Sequence, residues 1–240
     1  MTSRQLQLYI TTESPCSYFT DRMSSNLVPD PKLRLNVPIY NQLIQHGFRR
    51  SGAHCYRPHC NSAQNGCQAC IACRLAVNDF KSSRSQRRCL NKNQDLILSV
   101  TTAGFSDECF QLYRRYLNSR HDDGSMADPA EEDFKQFLYC DWSETQFLEF
   151  RQNGKLLAVA VTDMVSNGIS AVYSFFDPEM ERRSLGTYCV LRQIDYANQL
   201  GLKYVYLGYW IKEHPKMHYK NNFKPLQIYR NEKWQTQTEF

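Results

Sequence analysis

Two Asn-Gly pairs, at 153–154 and 167–168, constrain the fold more than any other feature of this chain. They separate TQFLEFR, LLAVAVTDMV and ISAVYSFF, three runs rich in apolar and β-branched residues. Asn-Gly between such runs is a strong hairpin signal, because both residues tolerate the positive φ of a tight turn. A polar stretch, DPEMERRS, leads to a helical pattern over roughly 186–200, closed by Gly201, and then to the strand KYVYLGYW. Residues 145–208 are therefore expected to run β-β-β-α-β.

Upstream, QLQLYIT (5–11) alternates like a short strand, and residues 38–46 place Tyr40, Leu43 and Ile44 at helical spacing, with Gly47 as the stop. Ser83–Asn93 reads as a basic helix and DLILSV (95–100) as a strand. Ser106 is an expected N-cap for DECFQLYRRYLNSR, whose Phe110, Tyr113, Tyr116 and Leu117 form an apolar stripe. The polar loop HDDGSM follows, and Asp128-Pro129 opens AEEDFKQFLYC as a second helix. The tail predicts a short helix near 214–222 and a last strand or two.

The segment CYRPHCNSAQNGCQACIACR (55–74) holds five of the ten cysteines. The N-terminus shows no apolar run with a cleavage site, and no window approaches the ~18 apolar residues that span a bilayer. The expectation is a cytoplasmic protein without membrane contact, whose thiols stay reduced; that removes a disulfide knot and leaves a metal or redox role. C-x2-C lets two thiolates reach one ion, and both tetrahedral zinc and an iron–sulfur cluster take four ligands. Cys60, Cys67, Cys70 and Cys73 are the nearby candidates and Cys16 a remote one; Cys89, Cys109, Cys140 and Cys189 read as small apolar residues. Net charge is +5, but residues 49–92 carry nine Lys/Arg against one acid, Asp79, which suits a polyanion or an acidic peptide.

The order β-β-β-α-β is the core order of the GCN5-related acyltransferase fold. In that fold a Gly-rich turn and a helix N-terminus receive a phosphate chain. Here the segment is RRSLGTY: Arg183, Gly186 and the helix start fit, but Tyr188 stands where a small residue is usual. Its bulk is expected to obstruct a pyrophosphate, which argues against acetyl-CoA.

The chain resembles the bacterial leucyl-transferring members of the aminoacyl-tRNA–protein transferase family. The resemblance runs nearly end to end through PCSY (15–18), HGFRRSG (46–52), YRPHC (56–60), CQAC (67–70) and RSQRR (84–88). It continues through LYRRY (112–116), RHDDGSM (120–126), AVAVTD (158–163), SAVYSFFDP (170–178), ERRSLGTY (181–188), YLGYWIK (206–212) and KMHYKNNFKP (216–225). It implies transfer of leucine from leucyl-tRNA to proteins with N-terminal Asp or Glu, marking them for degradation through the N-degron pathway. The implied fold is α+β: a GCN5-related acyltransferase-like C-terminal domain (101–240) behind a cysteine-rich N-terminal region (1–100) that serves metal and substrate.

On this resemblance, Asp177 and a tyrosine, Tyr173 or Tyr209, are expected to orient or deprotonate the amine. Arg182, Arg183 and Gly186, with Lys216 and Lys220 on one helical face, are expected at the tRNA end. For the acidic terminus the candidates are Arg49, Arg50, Arg57, Arg120 and His121, with Arg50 and Arg57 nearest the cysteines. The metal set is Cys16, Cys60, Cys67 and Cys70, with Cys73 in reserve; no cofactor is required for the chemistry. The chain departs from the family in NSAQNG, a four-residue insertion after Cys60, in the extra Cys73, and in His214. An acetyl-CoA-dependent N-acyltransferase and a non-catalytic, metal-stabilised tRNA-binding protein are the competing expectations.

Overall fold

The structure is a computed structural model, and it describes residues 6–60, 66–120 and 128–238. The first part holds β1 (Leu8–Ile10), β2 (Ser14–Pro15), β3 (Met23–Ser24), β4 (Asn26–Pro29), α1 (Val37–Gln45), β5 (Arg49–Ser51) and β6 (His54–Pro58). Then come β7 (Ile71–Ala76), α2 (Arg84–Lys92), β8 (Ile97–Thr102), α3 (Asp107–Arg120) and α4 (Glu131–Leu138). The remainder is β9 (Thr145–Gln152), β10 (Lys155–Val165), β11 (Gly168–Phe176), α5 (Leu185–Gln199), β12 (Tyr204–Trp210), α6 (Pro215–His218), β13 (Leu226–Arg230) and β14 (Lys233–Thr236).

The fold is mixed α/β, built on one large sheet of order β14-β13-β7-β12-β11-β10-β9-β8. Asn153 and Gly154 both take positive φ, 49° and 85°, and make the β9–β10 hairpin as expected. The second Asn-Gly works differently. Gly168 already pairs with Val165, and a Cβ on it would lie 2.2 Å from the Tyr204 carbonyl oxygen, so glycine is required there for close approach to β12.

Strand β10 is buried on both faces and divides the core. Ala158 and Ala160 face Tyr188, Leu191 and Ile194 of α5; Val159 and Val161 face Phe110, Tyr113 and Leu117 of α3 and Phe134 of α4. Tyr188 is 2% exposed and its ring meets Phe150 edge-on at 5.2 Å. It is a core residue and does not crowd the start of α5, so the steric argument against a pyrophosphate falls away.

The N-terminal part is fastened to the sheet by an ion pair. Arg50 donates from Nε and Nη2 to the two Asp163 oxygens, both at 2.6 Å, with both side chains fully buried. Tyr40 Oη (3.1 Å) and Thr145 Oγ1 (2.8 Å) also donate to Asp163, while Arg50 reaches the carbonyls of Gly52 and Leu138. Arg50 was expected at the acidic substrate terminus; it is a structural clamp instead, because its guanidinium is shut away from solvent and all three of its nitrogens already donate within the protein.

Candidate active site

Among the described residues the only parallel pair in the large sheet is β11–β12, and it holds over three residue pairs, Gly168↔Tyr204 to Ser170↔Tyr206. Beyond them the strands part. Strand β12 carries a register shift between Tyr206 and Gly208, and Gly208 has φ +78°. Arg49, from β5, fills the gap: its Nη2 donates to the Val172 carbonyl of β11 at 3.1 Å, and a Cβ on Gly208 of β12 would lie 3.2 Å from its Nη1. Tyr209 Oη fixes the neighbouring backbone, donating to the carbonyls of Tyr56 (2.8 Å) and Gly47 (3.2 Å).

A second cation stands beside the first. Lys220 is 4% exposed, and its Nζ donates to the Tyr209 carbonyl at 2.6 Å. Burial brings its pKa down from 10.5 to about 8; the Arg49 charge adds to the drop, and the thiols of Cys73 and Cys70 oppose it. The unfolded chain keeps this proton to about pH 10.5 and the folded chain only to about 8. Between those values the unfolded state binds more protons, so stability rises with pH. Below pH 8 the buried charge costs up to about 3 kcal/mol. Lys220→Met is therefore expected to exceed the native chain in stability at pH 7, with the difference closing toward pH 10. Equilibrium unfolding at the two pH values reads this; a constant or widening difference contradicts it.

The far end of β11 meets the start of α5. Phe176 lies 4.8 Å from the Tyr116 ring of α3, and the Arg120 guanidinium stands 5.5 Å from both ring centres. A Cβ on Gly186 would sit 3.2 Å from the Phe176 ring. Ser184, in the left-handed region at φ 54°, precedes α5 and supplies no side-chain cap, so the first-turn N–H groups lack a side-chain partner at the positive end of the helix dipole. Tyr219 is exposed, with its ring edge-on to Phe223 at 6.4 Å, and lies within electrostatic reach of both Arg49 and Tyr116.

The cysteines gather at the same end of the sheet, because Cys70 directly precedes β7 and Ile71 pairs with Trp210 at the end of β12. Burial pushes the Cys70 thiol up to about 12, and its neighbours Cys60, Cys16 and Cys67 push the same way. Cys73 is apart, 1% exposed in the core. Arg22 Nη1 donates to Cys67 Sγ at 3.3 Å, the Tyr18 amide to Cys16 Sγ at 3.4 Å, and Cys60 Sγ toward the Ser25 carbonyl at 3.9 Å. The donor chemistry suits a soft metal. As spaced, however, no three Cys, His, Asp or Glu groups among the described residues form an arrangement that could hold an ion.

The other expected residues fall in several places. Asp177 is 1% exposed; it caps the turn Pro178–Arg183 by accepting from the Glu179 amide (3.2 Å) and accepts from Lys155 Nζ (3.0 Å), which occupies both of its oxygens. Tyr173 is half-buried among Phe137, Tyr113 and Tyr116, and burial raises its pKa. Arg183 is held by Asp95 at 2.7 and 3.0 Å, whereas Arg182 is exposed. Lys216 and Lys220 do not share a helical face: α6 ends at His218, leaving Lys216 exposed and Lys220 buried. Arg57 donates to the His46 carbonyl at 2.7 Å and stands over Phe48 and Tyr229. His121 lies outside the described residues.

Sequence reasoning named Arg49 but preferred Arg50. Adjacent residues of a strand point to opposite faces, and nothing in HGFRRSG says which arginine faces inward to Asp163. A cavity of about 830 Å³ lies elsewhere, between α3, α4 and the β5–β6 turn. Its lining includes Asp128, Glu132, Asp133 and Asp141, so it repels an anionic ligand.

A parted parallel strand pair with Arg49 in the gap and Lys220 on the adjoining strand, next to a helix start without a side-chain cap, is chemistry suited to an anionic ligand. The family comparisons are more specific. The profile described as "Arginine-tRNA-protein transferase, C terminus" matches residues 108–230, and the corresponding N-terminus profile matches residues 14–88. Curated proteins named aspartate/glutamate leucyltransferase match along nearly the whole chain. The protein of Saccharophagus degradans is 47% identical over 97% of both chains. That of Hahella chejuensis is 46% identical over 97% of this chain and 98% of its own. That of Alcanivorax borkumensis is 48% identical over 98% and 95%. Among solved structures, L-PGS from Bacillus licheniformis aligns with TM-score 0.47 at 13% identity over 60% of this chain and 46% of its own, too distant to build on. The chain belongs to the arginine-tRNA–protein transferase family, and it is an aminoacyltransferase.

Proposed function

We propose that this protein transfers leucine from leucyl-tRNA to the α-amine of proteins that begin with Asp or Glu. What supports it most directly is the cleft between β11 and β12, with uncompensated cations at one end and a bare helix start at the other. In the reaction the neutral α-amine attacks the ester carbonyl carbon. The C–N bond forms, the bond to the terminal ribose oxygen breaks, and the amine proton passes to that oxygen. The ester is already activated, so positioning supplies most of the acceleration. The first-turn N–H groups of α5 suit a phosphate of the acceptor end. Phe176 and Tyr116 offer rings for the terminal base, and Arg120 stands over both. Tyr173, half-buried with its ring edge-on to Tyr116 at 6.3 Å, offers a hydroxyl for steadying the ester. The acyltransferase-like arrangement of β9–β12 with α5 is part of this reading, as are a cytoplasmic location and delivery of the product to the N-degron pathway.

Zinc or an iron–sulfur cluster at Cys16, Cys60, Cys67 and Cys70 would require those sulfurs to draw together, and no step of the transfer is routed through either. The test of the activity is incubation of labelled leucyl-tRNA, arginyl-tRNA or acetyl-CoA with a peptide starting with Asp. Label is expected on the peptide from leucyl-tRNA; label from acetyl-CoA alone would overturn the reading. Exposed Arg182 is expected to contact the tRNA backbone. Arg182→Ala should weaken tRNA binding and lower the slope of log K against log salt by about 1. An unchanged slope removes Arg182 from the interface.

A further inference from the structure

We propose that Arg49 and Lys220 together form the receptor for the side-chain carboxylate of the acceptor's first residue. The inference rests on the transfer reading above and assigns its specificity. Each cation alone is unremarkable; their combination is not. Lys220 is buried and Arg49 half-buried, and both meet β12 at consecutive residues: a Cβ on Gly208 would lie 3.2 Å from Arg49 Nη1, and Lys220 Nζ donates to the Tyr209 carbonyl at 2.6 Å. Among the described residues neither forms an ion pair with any Asp or Glu: the Arg49 guanidinium donates to one carbonyl, and the Lys220 ammonium to another and toward the Met217 sulfur. Elsewhere the same chain does neutralise its buried arginine, giving Arg50 the whole of Asp163 one residue away. A buried charge without a counter-charge is costly, the more so beside a second cation, and the cost is removed by an anion that enters.

The shape of the place selects the anion. Arg49 stands at backbone depth between two strands, Lys220 donates to the Tyr209 carbonyl of one of them, and Tyr209 and Tyr56 tilt together at 5.8 Å. A carboxylate on a short stem can reach that depth and accept from the guanidinium and the ammonium at once. A phosphodiester, carrying a ribose on each side, suits the open start of α5 and exposed Arg182 better. The surroundings also explain refusal of the amides: Asn or Gln would leave both cations unpaired, and a site built around hydrogen bonding discriminates strongly against an analogue that leaves its polar groups bare. Arg49 is carried by β5, so on this reading the cysteine-bearing first part supplies half of the receptor. The Arg50–Asp163 clamp holds the strand that delivers its neighbour to the cleft.

The test is direct binding, without tRNA, of fluorescent peptides that differ only in their first residue, Asp, Glu or Asn. The native chain is expected to prefer Asp and Glu over Asn by roughly 30-fold or more. Arg49→Gln and, independently, the nearly isosteric Lys220→Met should each reduce that preference to a few-fold, while leucyl-tRNA affinity stays within about threefold of native. Thermal melting of both variants keeps a folding defect apart from a binding defect, and Lys220→Met, which removes a buried charge, decides if Arg49→Gln does not fold. The proposal is overturned if the native chain shows no preference, or if a folded variant keeps it. It is equally overturned if tRNA affinity collapses while the preference survives, which would assign the pair to a phosphate. Absence of leucine transfer alongside intact Asp selectivity would overturn the donor assignment and leave the receptor standing.

Discussion

Asp163→Ala is expected to lose about 3–5 kcal/mol of stability, the largest effect of any single substitution considered, because it strands the Arg50 guanidinium without a counter-charge in a site closed to water. The residue is 0% exposed, and the donors of Arg50, Tyr40 and Thr145 all converge on it. Replacing both charges with apolar residues of similar volume, Arg50→Met with Asp163→Leu, should recover much of the loss, since the pair's own desolvation cost disappears with it. Urea unfolding of the three chains measures this. A loss below about 1 kcal/mol for Asp163→Ala would mean that water reaches the pair and that the first part of the chain is held by its apolar contacts alone.

Gly186→Val is expected to lower kcat/KM for leucyl-tRNA by about 100-fold while leaving the fold intact, a loss typical of a reacting group displaced by about 1 Å. Gly186 is the second residue of α5 and does not take a positive φ, so its backbone accepts a side chain. The obstacle is Phe176, 3.2 Å from the position of a Cβ. Alanine demands a few tenths of an ångström from the ring, whereas valine's extra methyl groups force it off Tyr116 and out of the stack beneath Arg120. Gly186→Ala should therefore fall between the two. Native kinetics in a folded Gly186→Val chain would separate the donor site from Phe176.

Where local chemistry decides, the sequence was legible. Ser83 caps α2 and forms a capping box with Gln86; α3 begins after Ser106; α1 stops before Gly47, whose φ is 79°. The hairpin and crossover from Thr145 to Trp210 followed from turn residues and spacing. What was hidden depended on partners far away in the chain. Ile71–Ala76 reads as the tail of a cysteine motif, yet it is β7, placed between β12 and β13 by pairing with Trp210 to Tyr204 on one side and Leu226 to Ile228 on the other. The site residues divided in the same way. Gly186 was named for the tRNA end from its motif, whereas Arg120, named for the acidic terminus, stands over Tyr116 and Phe176 beside Gly186; the contrast between Arg49 and Arg50, or between Lys216 and Lys220, depends on which side chain meets the sheet. Asp177 looked catalytic beside a proline turn, and the proline turn is what it serves.

The central claim is that one cleft receives the charged tRNA end at α5 and the acidic peptide end at Arg49. A crystal structure with a hydrolysis-resistant leucyl-amide analogue of the terminal adenosine and a peptide beginning with Asp tests it most directly. The account predicts the base against Phe176 and Tyr116, the leucyl carbonyl between β11 and β12, and the aspartate carboxylate on Arg49 and Lys220. Density for either ligand in the acid-lined cavity between α3 and α4, with the cleft between β11 and β12 closed, would contradict it.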